Sequence, residues 1–374
     1  MRNQQTCWNR IPNPAPLEAA TRRARLREPG FGRYVTDHMT LISYADGEWS
    51  DPRLVAHAPL ALDPASSGLH YGQVIFEGLK AYRQPEGDVA FFRIGDHARR
   101  FQHSATRMAM PTLPTELFIE ACTELVIADH AWVPDRSGHS LYLRPFMLAT
   151  TPRLGVQAAT EYLFVVIATP AATYFPDNAR GWAVMAARDH VRAASGGTGN
   201  AKCAGNYGAS LLTKQAATAA GVDEVLWLDA GSHSWVEELS AMNVFVVEEH
   251  SSSHPVLVTP PASTTILGGI TRASILELAP RLGYAVREAP IALEQWRTDA
   301  ARGVIREAFA TGTAAVVAPI GRVYDGDTQW LIGDGEPGPV TIRLRATLLD
   351  IQEGRTADPF EWRLPMELTK GVAF

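Results

Sequence analysis

Hydrophobic positions along the chain change period several times, and the changes mark out its elements. Between 31 and 90, short apolar runs are broken by turn residues. MTLISYADGEW is one such stretch, in which two runs meet at Asp46-Gly47, a pair that favours a tight hairpin. Antiparallel strands are therefore predicted there. DHARRFQHSATRMAM (96–110) reads as a helix ended by Pro111. In PTELFIEACTELVIADHAWVP, Phe118, Cys122 and Leu125 recur at helical spacing, with Thr115 as the expected N-cap and Glu116 in the first turn. HSLYLRPFMLAT (139–150) and EYLFVVIATP (161–170) are apolar enough to be two buried strands.

The later half mixes both periods. A helix is expected over 208–220 and strands over 224–228, 242–248 and 255–259. There follow a helix over 271–282, the strand YAVREAPI, a helix over 293–302 and strands near 304–309 and 314–324. A closing helix, VTIRLRATLLDIQEG, ends at Gly354. The order predicts an α+β fold in both halves, because the steady βαβ alternation of a doubly wound sheet is missing.

Length changes this picture by implying two domains: 374 residues exceed the roughly 250–300 at which a single core stops growing. The expected division is an N-terminal arm (1–30), a small domain (31–172), an interdomain loop (173–181) and a large C-terminal domain (182–374). Apolar residues make up 46% and charged ones 20%, enough for a sizeable core in each. A formal net charge of −6 argues against nucleic acid as a main partner. The three cysteines, Cys7, Cys122 and Cys203, show neither metal-ligand spacing nor a disulfide framework, which points to a reducing, cytoplasmic setting and no metal. No secretory h-region opens the sequence and no run of about 18 apolar residues occurs, so no membrane association is expected.

Candidate chemistry centres on GTGNAKCAGNYGAS (197–210), which sets Lys202 among Gly, Ala, Ser and Asn, with Tyr207 five residues on. An amine with so little bulk beside it can meet a flat aldehyde cofactor and form a Schiff base. A phosphate loop is excluded, since that spacing needs Gly at 201 and Ser or Thr at 203, where Ala201 and Cys203 stand. A solvated loop lysine is the competing reading from composition alone. Elsewhere, Arg144 lies between apolar neighbours in a predicted buried strand, where a charge needs a partner or a ligand. Glu237 and Glu238 precede another buried strand. Two glycines in TTILGGITRAS lead into a helix whose first N–H groups could hold an anion, and Thr311 and Thr313 flank Gly312.

Taken together, LHYGQVIFEGLKAY (69–82), FFRIGDHARRF (91–101), LYLRP (141–145), TYFP (173–176), GTGNAKCAGNYGAS, EELSAMN (237–243), ILGGITRASIL (266–276) and REAFATGTAAVV (306–317) resemble the branched-chain-amino-acid aminotransferases. The resemblance runs from about Arg33 to the last helix. It implies a two-domain fold-type-IV enzyme with pyridoxal 5′-phosphate between a smaller N-terminal and a larger C-terminal domain. The implied reaction moves the amino group of leucine, isoleucine or valine to 2-oxoglutarate, giving glutamate.

By the same resemblance Lys202 carries the Schiff base and shuttles the proton. Tyr207 hydrogen-bonds the ring oxygen and Glu238 holds the pyridine nitrogen protonated. Arg100, the backbone at Ile270 and Thr271, and Thr313 bind the phosphate. Phe76, Tyr142 and Tyr174 enclose the substrate, joined by Tyr71 from the partner of a homodimer, and Arg144 takes the side-chain carboxylate of glutamate. Ser240, Ala241 and Ala314 border the substrate. Ser240-Ala241 departs from the family's usual Gly-Thr, which leaves room for an alternative: a specialised relative acting on another hydrophobic or modified amino acid. Residues 315–318, Ala-Val-Val-Ala, lack the C-x-x-C redox pair of the chains nearest the mammalian enzymes.

Overall fold

The Asp46-Gly47 pair does turn a hairpin: both residues have positive φ (53° and 85°), and they join the strands His38–Ala45 and Glu48–Ala56. The structure is a computed structural model describing residues 7–174, 180–249 and 254–366. Its contacts divide the chain into two units. The first comprises Met1–Tyr174, Ala201–Ala204 and Asp350–Phe374, and the second Phe175–Asn200 and Gly205–Leu349.

The first unit is built on a nine-stranded sheet. Its order in space runs Asn9–Arg10, Glu48–Ala56, His38–Ala45, Tyr162–Ala171, Ser140–Ala149, Leu79–Arg83, Val89–Phe92 and Arg363–Met366, with Val74–Phe76 also on Ser140–Ala149. Helices Ile94–Arg107 and Thr115–Ala128 cover one face. Phe101, Phe118 and Phe164, one from each helix and one from the sheet, meet with ring centres 5.4–5.8 Å apart. Phe118, Cys122 and Leu125 are buried as their spacing requires, and burial pushes the Cys122 thiol pKa up, as befits a packing residue. Thr115 is the first helical residue rather than the cap. Pro114, with φ −54° and ψ 138°, occupies the cap position, since its ring holds the chain extended at the entry to the helix.

The closing segment departs from the expected 182–374 domain. Arg363–Met366 pairs with Val89–Phe92, and this ladder joins the segment from Asp350 to Met366 to the first unit. The first unit is thereby the longer of the two, not the smaller. The arm is not loose throughout, because Asn9–Arg10 pairs with Arg53–Leu54 of the first sheet. Of the expected interdomain loop, 175–179 lie outside the described residues.

In the second unit a ten-stranded sheet closes on itself. Strands Met242–Glu248, Ile305–Gly312, Val316–Asp325, Trp182–Ala186, Glu224–Leu228 and Trp235–Leu239 pair in turn, and the last pairs back onto the first. Closure satisfies backbone groups that an open edge would expose. Val184, Leu226, Leu239, Val244, Ala310 and Ile320 fill the apolar core. The helix expected over 208–220 is two, Ala204–Gly208 and Leu211–Ala219. YAVREAPI divides into Ala285–Glu288 and Ile291–Ala292 because Pro290 lacks the N–H a continuous ladder needs. Glu237 and Glu238 are not loop residues: they lie in the strand Trp235–Leu239, their carboxylates buried and partnered. No helix among the described residues is long and apolar enough to cross a membrane, and none of their acidic, His or Cys clusters could hold a metal ion.

Candidate active site

Lys202 belongs by its contacts to the first unit, inside a four-residue stretch whose flanks belong to the second. Its N–H donates to Ser104 Oγ (2.9 Å), and its carbonyl accepts from the N–H of Phe76 (3.0 Å). Next to it, Cys203 bridges to Ile75 and is buried in the core, a packing residue as its neighbourhood suggested. The main chain is thus pinned on both sides of the lysine, and the side chain is left to position the amine. Nζ stands 4.7 Å from the centre of the Phe76 ring.

The same ring meets a second cation. The Arg144 guanidinium lies 4.7 Å from its centre, and Arg144 Nη2 donates to Tyr142 Oη at 3.1 Å. Arg144 Nε is buried without a hydrogen-bond partner among the described residues, an unmet donor that a carboxylate could satisfy. Gly78 makes room for Tyr142: a Cβ there would fall 1.8 Å from Tyr142 Oη. Tyr142 in turn meets Phe31 edge-on (5.0 Å), and Phe31 meets Tyr174 (6.1 Å). Phe31, between Gly30 and Gly32 at φ 62° and 67°, therefore completes an aromatic row that the motifs did not include. Tyr71 stands apart from this row, 40% exposed at the end of the helix Ser67–Tyr71, and its hydroxyl donates to the carbonyl of Leu154.

Arg100 sits one helical turn after His97, and both meet the buried Glu77. Burial alone would push the Glu77 carboxyl up. The Arg100 guanidinium, seconded by His97, instead holds it well below the usual carboxylate range. Glu77 lies within one of the recognised motifs, yet nothing local in the sequence marks it out.

The second unit collects its candidates at one end of its closed sheet. Glu238 lies opposite Trp227 on one side and Asn243 on the other. Its Oε1 accepts the N–H of Leu267 (2.6 Å), and its Oε2 lies 3.2 Å from Nε of the buried Arg192, an ion pair without hydrogen-bond alignment. The Arg192 guanidinium also donates to the carbonyls of Gly199 and Thr265, so one side chain ties the approach to Lys202, the Glu238 strand and the glycine lead-in. Asn243 Nδ2 donates to the carbonyl of Leu267 (2.9 Å), and a Cβ at Gly269 would fall 2.0 Å from Asn243 Oδ1. Gly269 is thus held against the sheet where the helix Ile270–Arg281 starts, with Ile270 and Thr271 in its first turn and no side-chain cap. Their N–H groups belong to the set that a helix leaves unsatisfied by its own carbonyls.

Thr313 and Ala314 lie in the turn after Ile305–Gly312, between Gly312 and Ala315, which pack near Met242. Thr311 Oγ1 is buried without a partner among the described residues. Tyr207 sits half-buried on Ala204–Gly208. There the neighbouring Asn206 and Thr198 exchange two hydrogen bonds of 2.7 Å, closing the loop that carries Lys202.

Ser240 and Ala241 form the turn between Trp235–Leu239 and Met242–Glu248. Ser240 adopts φ 49°, a conformation suited to the family's glycine, and its hydroxyl donates to Glu224, which Lys214 also meets. The added hydroxyl is therefore spent within the protein. Ser240→Ala is expected to leave ligand preference within about twofold of the parent, as for a change that alters no ligand contact. A larger shift in comparative binding assays would return the side chain to the ligand.

The chain belongs to the class IV aminotransferases, its residues 74–323 matching the family described as Amino-transferase class IV. It is 50% identical over 353 residues to a probable branched-chain-amino-acid aminotransferase of Streptomyces coelicolor, covering 94% of this chain and 96% of that one. Its fold is similar to the crystal structure of the Escherichia coli branched-chain amino acid aminotransferase, with TM-score 0.72, 28% identity and coverage of 87% and 98%. A Thermus branched-chain amino acid aminotransferase with pyridoxamine 5′-phosphate is similar at TM-score 0.70 and 30% identity, over 86% and 97%. That enzyme is also known complexed with N-(5′-phosphopyridoxyl)-L-glutamate and with 4-methylvaleric acid (TM-scores 0.67 and 0.68, each 29% identical over 86% and 97%).

Proposed function

We propose that this protein is a pyridoxal-5′-phosphate-dependent branched-chain-amino-acid aminotransferase, exchanging amino groups between leucine, isoleucine or valine and 2-oxoglutarate. One observation carries the reading: the Phe76 ring has both Lys202 Nζ and the Arg144 guanidinium 4.7 Å from its centre. A reacting amine and a carboxylate-binding cation thus share one apolar wall, which is what a site must offer to accept leucine and glutamate in turn.

The donor set suits the cofactor. Lys202 offers the amine for its aldehyde carbon, Glu238 a buried carboxylate for its ring nitrogen and Tyr207 a hydroxyl for its ring oxygen. Arg100, the N–H groups of Ile270 and Thr271, and the Thr313 hydroxyl serve its phosphate. When bound, the cofactor supplies an electron sink for the substrate carbon that loses its proton. With the cofactor bound, Lys202 would take the proton from substrate Cα as general base and give it back as general acid. Glu238 would be the carboxylate that keeps the ring nitrogen protonated. Phe76, Tyr142, Tyr174 and Phe31 would exclude water and pack an aliphatic side chain, and Ala241 and Ala314 are small residues suited to bordering a substrate.

The protein works as a homodimer in a reducing, cytoplasmic setting. Exposed Leu69, Tyr71, Leu154 and Val156 of the first unit support the pairing, and the free Cys7, Cys122 and Cys203 the setting. An amino-donor panel tests the function: turnover with all three branched-chain donors is expected, and none with any of them would overturn it. Arg144→Ala is expected to raise KM for glutamate about tenfold, since a charge-assisted hydrogen bond contributes about 1.5 kcal/mol or more, while KM for leucine changes little. Equal increases for both would make Arg144 a structural residue.

A further inference from the structure

Arg100 is gripped along one edge. Its Nε donates to Glu77 Oε1 at 2.7 Å and its Nη2 to Oε2 at 2.8 Å, the two-pronged pairing that matches a planar guanidinium to a carboxylate. His97 Nδ1 lies 2.7 Å from the same Oε2, and the N–H of Gly78 donates to it at 3.1 Å. An ionised carboxylate only accepts, so Nδ1 carries the hydrogen. Glu77 is fully buried and Arg100 nearly so, and a buried charge that loses its partner is strongly disfavoured. Four donors therefore converge on one carboxylate at 0% exposure, and the plane of the guanidinium follows from them.

Glu77 also follows Phe76, whose N–H donates to the carbonyl of Lys202 and whose ring lies beneath its amine. One dipeptide, the last residue of the strand Val74–Phe76 and the one after it, thus meets both the candidate amine and the guanidinium. A phosphate held by an arginine free to rotate would let the cofactor drift relative to the amine, and misplacement of about an ångström is costly to a reaction. An arginine locked to the amine's own neighbour removes that freedom.

We propose that Glu77, seconded by His97, is the positioning residue that orients Arg100 for the cofactor phosphate. The proposal rests on the reading of Arg100 as a phosphate partner. The test compares apoenzymes by equilibrium binding of pyridoxal 5′-phosphate and of pyridoxal, which lacks the phosphate, followed by protein fluorescence. Glu77→Gln keeps size and one acceptor but loses the charge and the second acceptor. It is expected to lower the ratio of the two affinities about tenfold while pyridoxal itself binds as before. An unchanged ratio, including one in which both ligands weaken equally as a purely structural residue would cause, overturns the proposal.

Arg100→Ala separates the two levels of the argument. If it leaves the ratio at the parent value, Arg100 does not serve the phosphate, and the proposal falls with that reading. If it lowers the ratio while Glu77→Gln does not, only the positioning role fails. Should Glu77→Gln not fold by circular dichroism, His97→Gln removes one donor and spares the Glu77–Arg100 pair. A fall in the ratio of about threefold is expected for loss of one such bond, and no fall overturns the proposal.

Discussion

Lys202→Ala is expected to fold normally and to lose transamination by at least about a thousandfold, since both the covalent partner of the cofactor and the proton carrier disappear. Normal folding is expected because two backbone hydrogen bonds, to Ser104 Oγ and from the N–H of Phe76, hold residue 202 in place. Alanine retains both. Single-turnover assays with leucine, run beside circular dichroism spectra, measure the effect. A variant that keeps a tenth of the parent rate would remove the amine from its role, and an unfolded one would show that the side chain also supports the fold.

The second large effect is expected at Glu238. Glu238→Gln preserves an acceptor for the N–H of Leu267 but forfeits the charge that faces Arg192 and that would hold the ring nitrogen's proton. Turnover is expected to fall about 10²–10³-fold, the usual cost of losing one preorganised charge partner in a site, with KM little changed. Glu237→Gln is the comparator. Burial pushes the Glu237 carboxyl pKa up, although Thr265 Oγ1 donates to it at 2.6 Å and Arg192 is near. Glutamine keeps an acceptor for the Thr265 hydroxyl, so a small effect is expected there. Greater harm at 237 than at 238 in steady-state assays would reverse the assignment.

Much of this was legible in residue order, and the misses have a common cause. Local signals resolved what local forces decide: the hairpin at Asp46-Gly47, the Phe118–Cys122–Leu125 stripe and the apolar strands on either side of 150–160. Lys202 stood out as a candidate because small residues surround it in sequence, and Arg144 because a charge inside an apolar strand calls for a partner. Partners distant along the chain did not stand out. Glu77 has no local mark of its partners, since His97 and Arg100 reach it from the helix Ile94–Arg107. Arg192 meets Glu238, Gly199 and Thr265 only once the second sheet has closed, and Asn243 meets Leu267 by the same closure. The strand Trp235–Leu239 was hidden by its two carboxylates, which read as solvent-seeking until buried partners are found for them. The return of Arg363–Met366 to Val89–Phe92 depends on pairing across most of the chain, which no periodicity reports. Ser240 shows the reverse case: a departure visible in sequence, whose side chain the structure turns toward Glu224.

The most direct measurement is reductive trapping. Treating the cofactor-loaded protein with borohydride fixes pyridoxal 5′-phosphate to whichever amine it has joined, and peptide mass spectrometry then locates the added mass. The account predicts a single labelled site, Lys202, with the label absent from Lys202→Ala. Label on Lys80, Lys214 or Lys370 in the parent protein, or none at all, would contradict it.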